Sequence, residues 1–380
     1  MKARIAVSAG EIGATGWNRC ANPEGRADPH PFTRFEFFAA LEESGSAVAE
    51  AGWQACHLVL GDHHAILPTY VKSHSQGEYV FDHAWAEALE RAGGDYYPKL
   101  QACVPFTPVP GRRFLIGPDG GDAAHAALLK AGVAAVRQLN ASSLHITFLT
   151  QAEWKAAGDA GYLLRTDQQF HWHNRGYRDF TDFLDDLSSA KRKMLRKERE
   201  AVRAAGVSFD LLTGTDITEA HWDRFFEFYM DTGSRKWGSP YLTREFFSRV
   251  GATMADQIVL VMAKRSGVHI AGALNFRGEG VLYGRNWGAV EHVPFLHFET
   301  CYYQAIEFAI QHGLGKVEAG AQGAHKLLRG YMPEATYSAH YIVHPGLKRA
   351  VDDFLARERL AVAEHRRELT EHGPFRKSRS

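Results

Sequence analysis

Three short apolar runs in the second half of the chain, QIVLVMAKRSG (257–267), VHIAGALNFRG (268–278) and GVLYGRNWG (280–288), are separated only by glycine-bearing turns. Gly267 and Gly278–Gly280 supply hairpin turns, so the runs are predicted to be consecutive hairpin strands. The spacing then predicts a helix over Phe298–Gln311, a strand KVEAG, a short helix over His325–Gly330, a strand YSAHYIVHP and a final charged helix. Ahead of the hairpins lie one long amphipathic helix (179–206), a strand VSFDLLTG, and helices around Glu219–Thr232 and Leu242–Met254.

The first half has a similar order. PFTRFEFFAALEESG reads as a helix ended by Gly45, WQACHLVLG and AILPTYVKS as a strand pair, and FDHAWAEALERAGG as a second helix. KLQACVPF is a strand, a helix runs from about Asp122 to Asn140, and LHITFLT is a short buried strand. The halves share an order of elements and no residue-level repeat. At 380 residues the chain is long for a single core. Two α/β domains are therefore expected, 1–170 and 171–380, with the boundary near Leu164–Tyr177.

Charge and cysteine usage exclude several classes. Lys+Arg and Asp+Glu stand at 44 each, which argues against a strongly electrostatic nucleic-acid binder. The four cysteines form no CxxC pair, so a reducing cytoplasm is the simpler expectation. The first twenty residues lack the apolar stretch of a signal peptide, and no apolar run reaches about 18 residues. HH at 63–64 and HWH at 171–173 invite a metal reading, but no third ligand is apparent and no metal is expected.

The residues able to do chemistry crowd into 283–333. His297 and Cys301, four apart at a helix start, are expected to face the same way, and Glu299 to pair with Tyr302 or Tyr303. A histidine at a helix N-terminus is biased toward a neutral base, which suits removal of a proton from an attacking amine. In EAGAQGAHKLLRGY, Gly320 and Gly323 free the backbone to approach a ligand. Glu318, Gln322, His325, Lys326 and Arg329 surround them, with His325 and Arg329 one turn apart. Arg285 and Trp287, two apart on a strand, are expected to share a face and grip an anionic group. In the first half, VPGRRFLIGPDGG offers Gly111, Arg112 and Arg113 as a phosphate grip for a cofactor. The run AKRKMLRKERE (190–200) can meet anionic lipid headgroups or tRNA phosphates.

With these residues in hand, the chain resembles the FemAB-like predicted N-acyltransferases, a family labelled peptidoglycan biosynthesis or recognition. The resemblance runs through YVKSHSQGEYVFDHAW, PFTPVPGRR, HWHNRGYRDFTDFLDDLSSAKRKMLRKER, KWGSPYLTREFF, LYGRNWG, LHFETCYYQAIEFAI and EAGAQGAHKLLRGY. Ala324 is a departure, since the family is expected to favour an acidic residue there; Glu299 or Glu318 must then suffice. The resemblance implies two tandem acyl-CoA N-acyltransferase (GNAT-like) domains, each a mixed twisted sheet flanked by helices, with strands splayed to admit an acyl donor.

The function it implies is transfer of an acyl group to a primary amine, with acyl-CoA as co-substrate and a long-chain sphingoid amine, as in bacterial ceramide synthesis, as a candidate acceptor. His297 or Glu299 is expected as base, with His325 as rival. Gln322 or Arg329 would polarise the carbonyl, and Tyr331 or Tyr337 would protonate the leaving group. Arg285, Trp287, Tyr302, Gln322, Lys326 and Arg329 are expected to bind substrate. The protein is expected in the cytoplasm, with peripheral contact to the inner membrane. The alternative is a Fem-type ligase that takes an amino acid from aminoacyl-tRNA to a peptidoglycan precursor.

Overall fold

A computed structural model describes residues 2–121, 123–237, 240–320 and 323–376. The chain divides into two compact units: residues 1–168 with 335–364, and residues 169–334 with 365–380. The expected second domain, 171–380, therefore loses residues 335–364 to the first unit. The reason is a sheet pairing, since residues 337–342 bond to the strand at 143–149.

The strands of the first unit are β1 (Ala3–Ala6), β2 (Trp53–Ala55), β3 (His57–Leu60), β4 (Ala65–Leu67), β5 (Thr69–Lys72), β6 (Lys99–Ala102), β7 (Leu115–Ile116) and β8 (Ser143–Leu149). β9 (Leu163–His173) begins in this unit and ends in the second. The second unit adds β10 (Val207–Thr213), β11 (Ile258–Arg265), β12 (Val268–Gly278), β13 (Val281–Ala289) and β14 (Lys316–Glu318). β15 (Met332–Ile342) returns the chain to the first.

In the first unit β1-β3-β4-β7 form an antiparallel sheet. A second sheet runs β15-β8-β6-β5-β2, antiparallel except at β6–β8. The strand pair expected over 53–73 is thus shared between two sheets. Pro68 has no N–H to give a ladder. At Pro68 and Cys56 the pair turns a corner, so that β3 and β4 join one sheet and β2 and β5 the other. Leu58, Leu100, Leu128, Val136, Leu144 and Ile146 fill the core beneath the helix Ala124–Gln138.

The second unit has one sheet, β10-β11-β12-β13-β14-β9, antiparallel except for the parallel pair β13–β14. Trp172, Leu282 and Val317 face an apolar core shared with Phe183, Leu195, Tyr303 and Ile306, which come from three helices. The helix expected over 179–206 is two helices, Phe180–Asp186 and Ser189–Ala204. Leu187 is extended and bridges to Phe375, and the Ser188 N–H donates to the Pro374 carbonyl at 2.9 Å. This local pairing overrides a continuous amphipathic pattern. Among the described residues no helix is long and apolar enough to cross a membrane.

Gly288 marks the closest packing of β13. A Cβ there would stand 2.1 Å from the Phe228 carbonyl oxygen and 2.7 Å from the Tyr229 nitrogen. Both are backbone atoms of the helix Glu219–Trp237 and cannot swing aside. Gly288→Ala is expected to lower stability by about 1–3 kcal/mol through overpacking. Urea denaturation of the variant checks this, and an unchanged midpoint would contradict the packing described.

Candidate active site

β13 and β14 pair only where Val281–Tyr283 meets Lys316–Glu318, yet β13 continues to Ala289. β14 ends at Glu318, so beyond Tyr283 β13 runs on without a partner strand on that side. The ladder on the other side of β13 slips at the same place, because Gly284 faces Asn275 while Asn286 faces Leu274. Arg285 is the extra residue of a β-bulge, a feature that re-aims side chains beside functional sites. The bulge breaks the alternation on which a shared face for Arg285 and Trp287 depended. Trp287 packs instead against the apolar group of Val202, Ala289 and Leu296.

The helix after β13 starts at Leu296 and makes a π-helical turn over Glu299–Tyr303 before continuing over Gln304–Gln311. A π turn brings residue i over i+5 in place of i+4. His297 accordingly meets Tyr302, with ring centroids 5.4 Å apart. Cys301 packs toward the apolar core. Trp287 stands 5.3 Å and His325 6.2 Å from the His297 ring. The Tyr302 hydroxyl is bonded to His325 Nε2 at 3.0 Å. Burial raises the Tyr302 hydroxyl well above the usual phenol range, so it remains a proton donor.

His297, Trp287 and Phe298 also line a cavity of ≈ 360 Å³ with Thr232, Glu291 and Phe295. That volume suits a small ligand group. Phe295, at its lip, holds the left-handed conformation with φ 66°, which a bulky side chain rarely adopts. Gly323, at φ 117°, lets the next turn come close; a Cβ there would stand 2.5 Å from His325 Cε1. The structure thus brings together His297, Tyr302, His325 and Trp287. Tyr331 joins through Tyr302, 5.4 Å away, and its buried hydroxyl has no hydrogen-bond partner.

Other expected site residues serve the framework. Both oxygens of Glu299 accept from Arg199 Nε at 3.1 Å, and Gln304 Nε2 adds a bond at 2.8 Å. Glu299 pairs with neither tyrosine, and both its oxygens are engaged by this ion pair. Arg329 lies against Glu198, with Nη2–Oε1 at 2.7 Å, donates to Tyr303 Oη at 3.1 Å, and covers the Phe298 ring. It is held inside the unit and has no fork left for a carbonyl. Lys326 donates to the Gly320 carbonyl at 2.9 Å, and burial lowers its amine to about 8. Its ammonium ties the glycine loop to the turn that follows. Gln322 lies outside the described residues.

Glu318 ends β14 at its last pair with β13. Val317 enters the apolar core, so by strand alternation Glu318 projects from the other face. Lys316 Nζ is 2.6 Å from one carboxylate oxygen; the other, Oε2, is buried with no hydrogen-bond partner. His171 on β9 faces it across the ladder.

In the first unit the expected cofactor grip is absorbed by the chain itself. Arg113 is buried; Nε donates to the Thr147 carbonyl at 2.8 Å, Nη2 to Val109 at 2.6 Å, and Nη1 to Gly111 at 3.2 Å. Burial lowers its guanidinium to about 10. Arg112 donates to the Ala21 carbonyl, and the Gly111 N–H to the Phe148 carbonyl at 3.0 Å. These donors stitch loops together and leave little for a phosphate. Tyr337, on β15, packs on Trp154.

The first unit also holds a polar centre that sequence reasoning passed over. Lys99 Nζ donates to Ser75 and Glu78 at 2.7 Å and to Asp82 at 2.5 Å, all buried. Lys72 lies 3.8 Å from Glu78 and over the Trp53 ring. Burial lowers the Lys72 amine to about 7 and raises the Glu78 carboxyl to about 7. Burial also works against the Asp82 charge, but Lys99 outweighs it and holds the carboxyl well below its usual range. The only sequence signal was alternation: Lys72, and Lys99 and Gln101, point to one face of β5 and β6.

Residues 8–377 match the FemAB-like family, described as peptidoglycan biosynthesis/recognition. No curated protein matches the chain. Among solved structures it is similar to FemX, at 10% identity and TM-score 0.55, covering 93% of this chain and 100% of that one. It is also similar to L-PGS from Bacillus licheniformis, at 11% identity and TM-score 0.53, with coverage of 86% and 98%. The C-terminal domain of a putative lysylphosphatidylglycerol synthetase from Agrobacterium fabrum gives 9% identity, TM-score 0.54, and coverage of 90% and 96%. At these identities the likeness is one of fold, and it agrees with mixed sheets flanked by helices in tandem.

Proposed function

The chain belongs to the FemAB-like family of peptidoglycan biosynthesis and recognition, and from that premise we propose that it is a Fem-type transferase. It moves an aminoacyl group from aminoacyl-tRNA to a primary amine of a peptidoglycan precursor. The observation that carries the reading is Glu318 at the end of the β13–β14 pairing, its Oε2 buried with no hydrogen-bond partner. An activated acyl carbonyl placed there meets the backbone of β13 beyond its last pair with β14, where N–H groups can stabilise an oxyanion.

In this reading Glu318 is the base. The amine nitrogen bonds to the acyl carbon, its proton passes to Glu318 Oε2, and the carbon–oxygen bond to the tRNA ribose breaks. Tyr302, kept protonated by burial and bonded to His325, gives its proton to the leaving oxygen. His297 and Trp287 wall the cavity that takes the aminoacyl side chain. Lys193, Arg196 and Lys197, exposed on the helix Ser189–Ala204, offer charge to tRNA phosphates.

A second reading keeps acyl-CoA as donor and a long-chain amine, sphingoid bases included, as acceptor. The stretch of β13 beyond its last pair with β14 supports it too, because a thioester carbonyl needs the same backbone donors. Radiolabelled aminoacyl-tRNA with a peptidoglycan precursor, against acyl-CoA with a long-chain amine, separates the two. Label transfer abolished by ribonuclease is the expected result. Transfer from acyl-CoA alone would favour the second reading, and no transfer from either donor would sink both.

A further inference from the structure

The HWH triplet of β9 has no part in the reaction so far. Trp172 is sealed in the apolar core, so His171 and His173 take the opposite face, across the ladder from Glu318 and Lys316. His171 Nε2 stands 3.9 Å from Glu318 Oε2, the buried oxygen without a hydrogen-bond partner. Its Nδ1 is bonded to Glu334 Oε2 at 3.0 Å, and the other Glu334 oxygen holds His173 Nε2. Side-chain exposure is 4% for Glu318 and 3% for His171, and climbs to 35% for Glu334 and 46% for His173. The groups run from a buried carboxylate to water, hydrogen-bonded from His171 outward, and the 3.9 Å between Glu318 Oε2 and His171 Nε2 must shorten for a proton to cross.

We propose that His171, Glu334 and His173 form a proton exit path that carries to solvent the proton Glu318 takes from the attacking amine. The proposal rests on the reading of Glu318 as base. A buried carboxylate protonated at each turnover must be emptied before the next one. Glu318 Oε2–H gives its proton to His171 Nε2 as the Nδ1 proton passes to Glu334 Oε2. Glu334 then releases its proton to water, and a half-turn of the His171 ring brings an N–H toward Glu334 and a bare nitrogen toward Glu318 again. The Gln169 amide, 3.3 Å from Nε2, suits either tautomer by presenting its oxygen or its NH₂. Burial works against the Glu334 charge, but bonds from His171 and His173 outweigh it and hold the carboxyl well below its usual range. Glu334 therefore rests as an acceptor and passes a proton on quickly.

His171 and Glu334 are positioning residues in this scheme, and their loss slows proton release without weakening substrate binding. In the full-length protein His171→Asn is expected to lower kcat about ten- to a hundredfold with KM nearly unchanged, less than loss of the base itself. Added imidazole is expected to restore much of the rate in His171→Ala, which a purely structural role would not allow. A second measurement needs no substrate: exchange of the His171 ring N–H with water, followed by NMR. Glu334→Gln is expected to slow that exchange about tenfold or more. Wild-type kcat in a folded His171→Asn, or unchanged exchange in Glu334→Gln, overturns the path. Slowed exchange in a protein that transfers nothing would support the path and refute the transferase reading.

Discussion

Glu318→Gln is expected to lower kcat for transfer by about 10²–10⁴-fold, the range general-base catalysis contributes, with KM little changed. The substitution keeps shape and still lets Lys316 donate to the side chain, so the strand end should stand. What it removes is the capacity of the buried, unpartnered oxygen to take a proton from an amine. Glu299→Gln supplies the contrast. Its carboxylate is occupied by Arg199 and Gln304, so the same chemical change should appear in the melting temperature and leave kcat within a few-fold. Initial rates with the donor identified above, beside thermal melts of both variants, decide between them. Full kcat in Glu318→Gln would return the base to His297 or His325.

The hairpin strands 257–288 were legible because glycine turns and apolar runs are local signals. The crowd between Tyr283 and Pro333 was legible as a region, but its division of labour was not. A π turn sets His297 against Tyr302, and nothing in the spacing of FLHFETCYY announces it. The bulge at Arg285 is hidden in the same way. Glu299 and Arg329 read as site residues because their partners, Arg199 and Glu198, lie 100 and 131 positions earlier. Sequence proximity counts polar groups; only tertiary pairing tells which of them are already satisfied. AKRKMLRKERE shows both sides of this, since Glu198 and Arg199 turn inward while Lys193, Arg196 and Lys197 stay exposed.

Arg329→Ala tests whether that distinction is correct. The substitution leaves the Glu198 carboxylate buried without its cation and takes a donor from Tyr303 Oη. Breaking a buried pair from one side costs about 3–5 kcal/mol, because the remaining charge keeps its desolvation penalty. The packing of the guanidinium on Phe298 is lost as well. Chemical denaturation should register the whole loss, and Glu198→Gln added to Arg329→Ala should recover part of it, since the two positions share one network. If Arg329 instead polarised the acyl carbonyl, as the sequence alone had indicated, its removal would cost about 10²–10³ in kcat in protein that is still folded. Assayed well below its melting temperature, the variant is expected to keep kcat within a few-fold of wild type. A folded variant with normal stability and a hundredfold lower rate would instead place Arg329 at the reacting carbonyl, and with it the centre of the site.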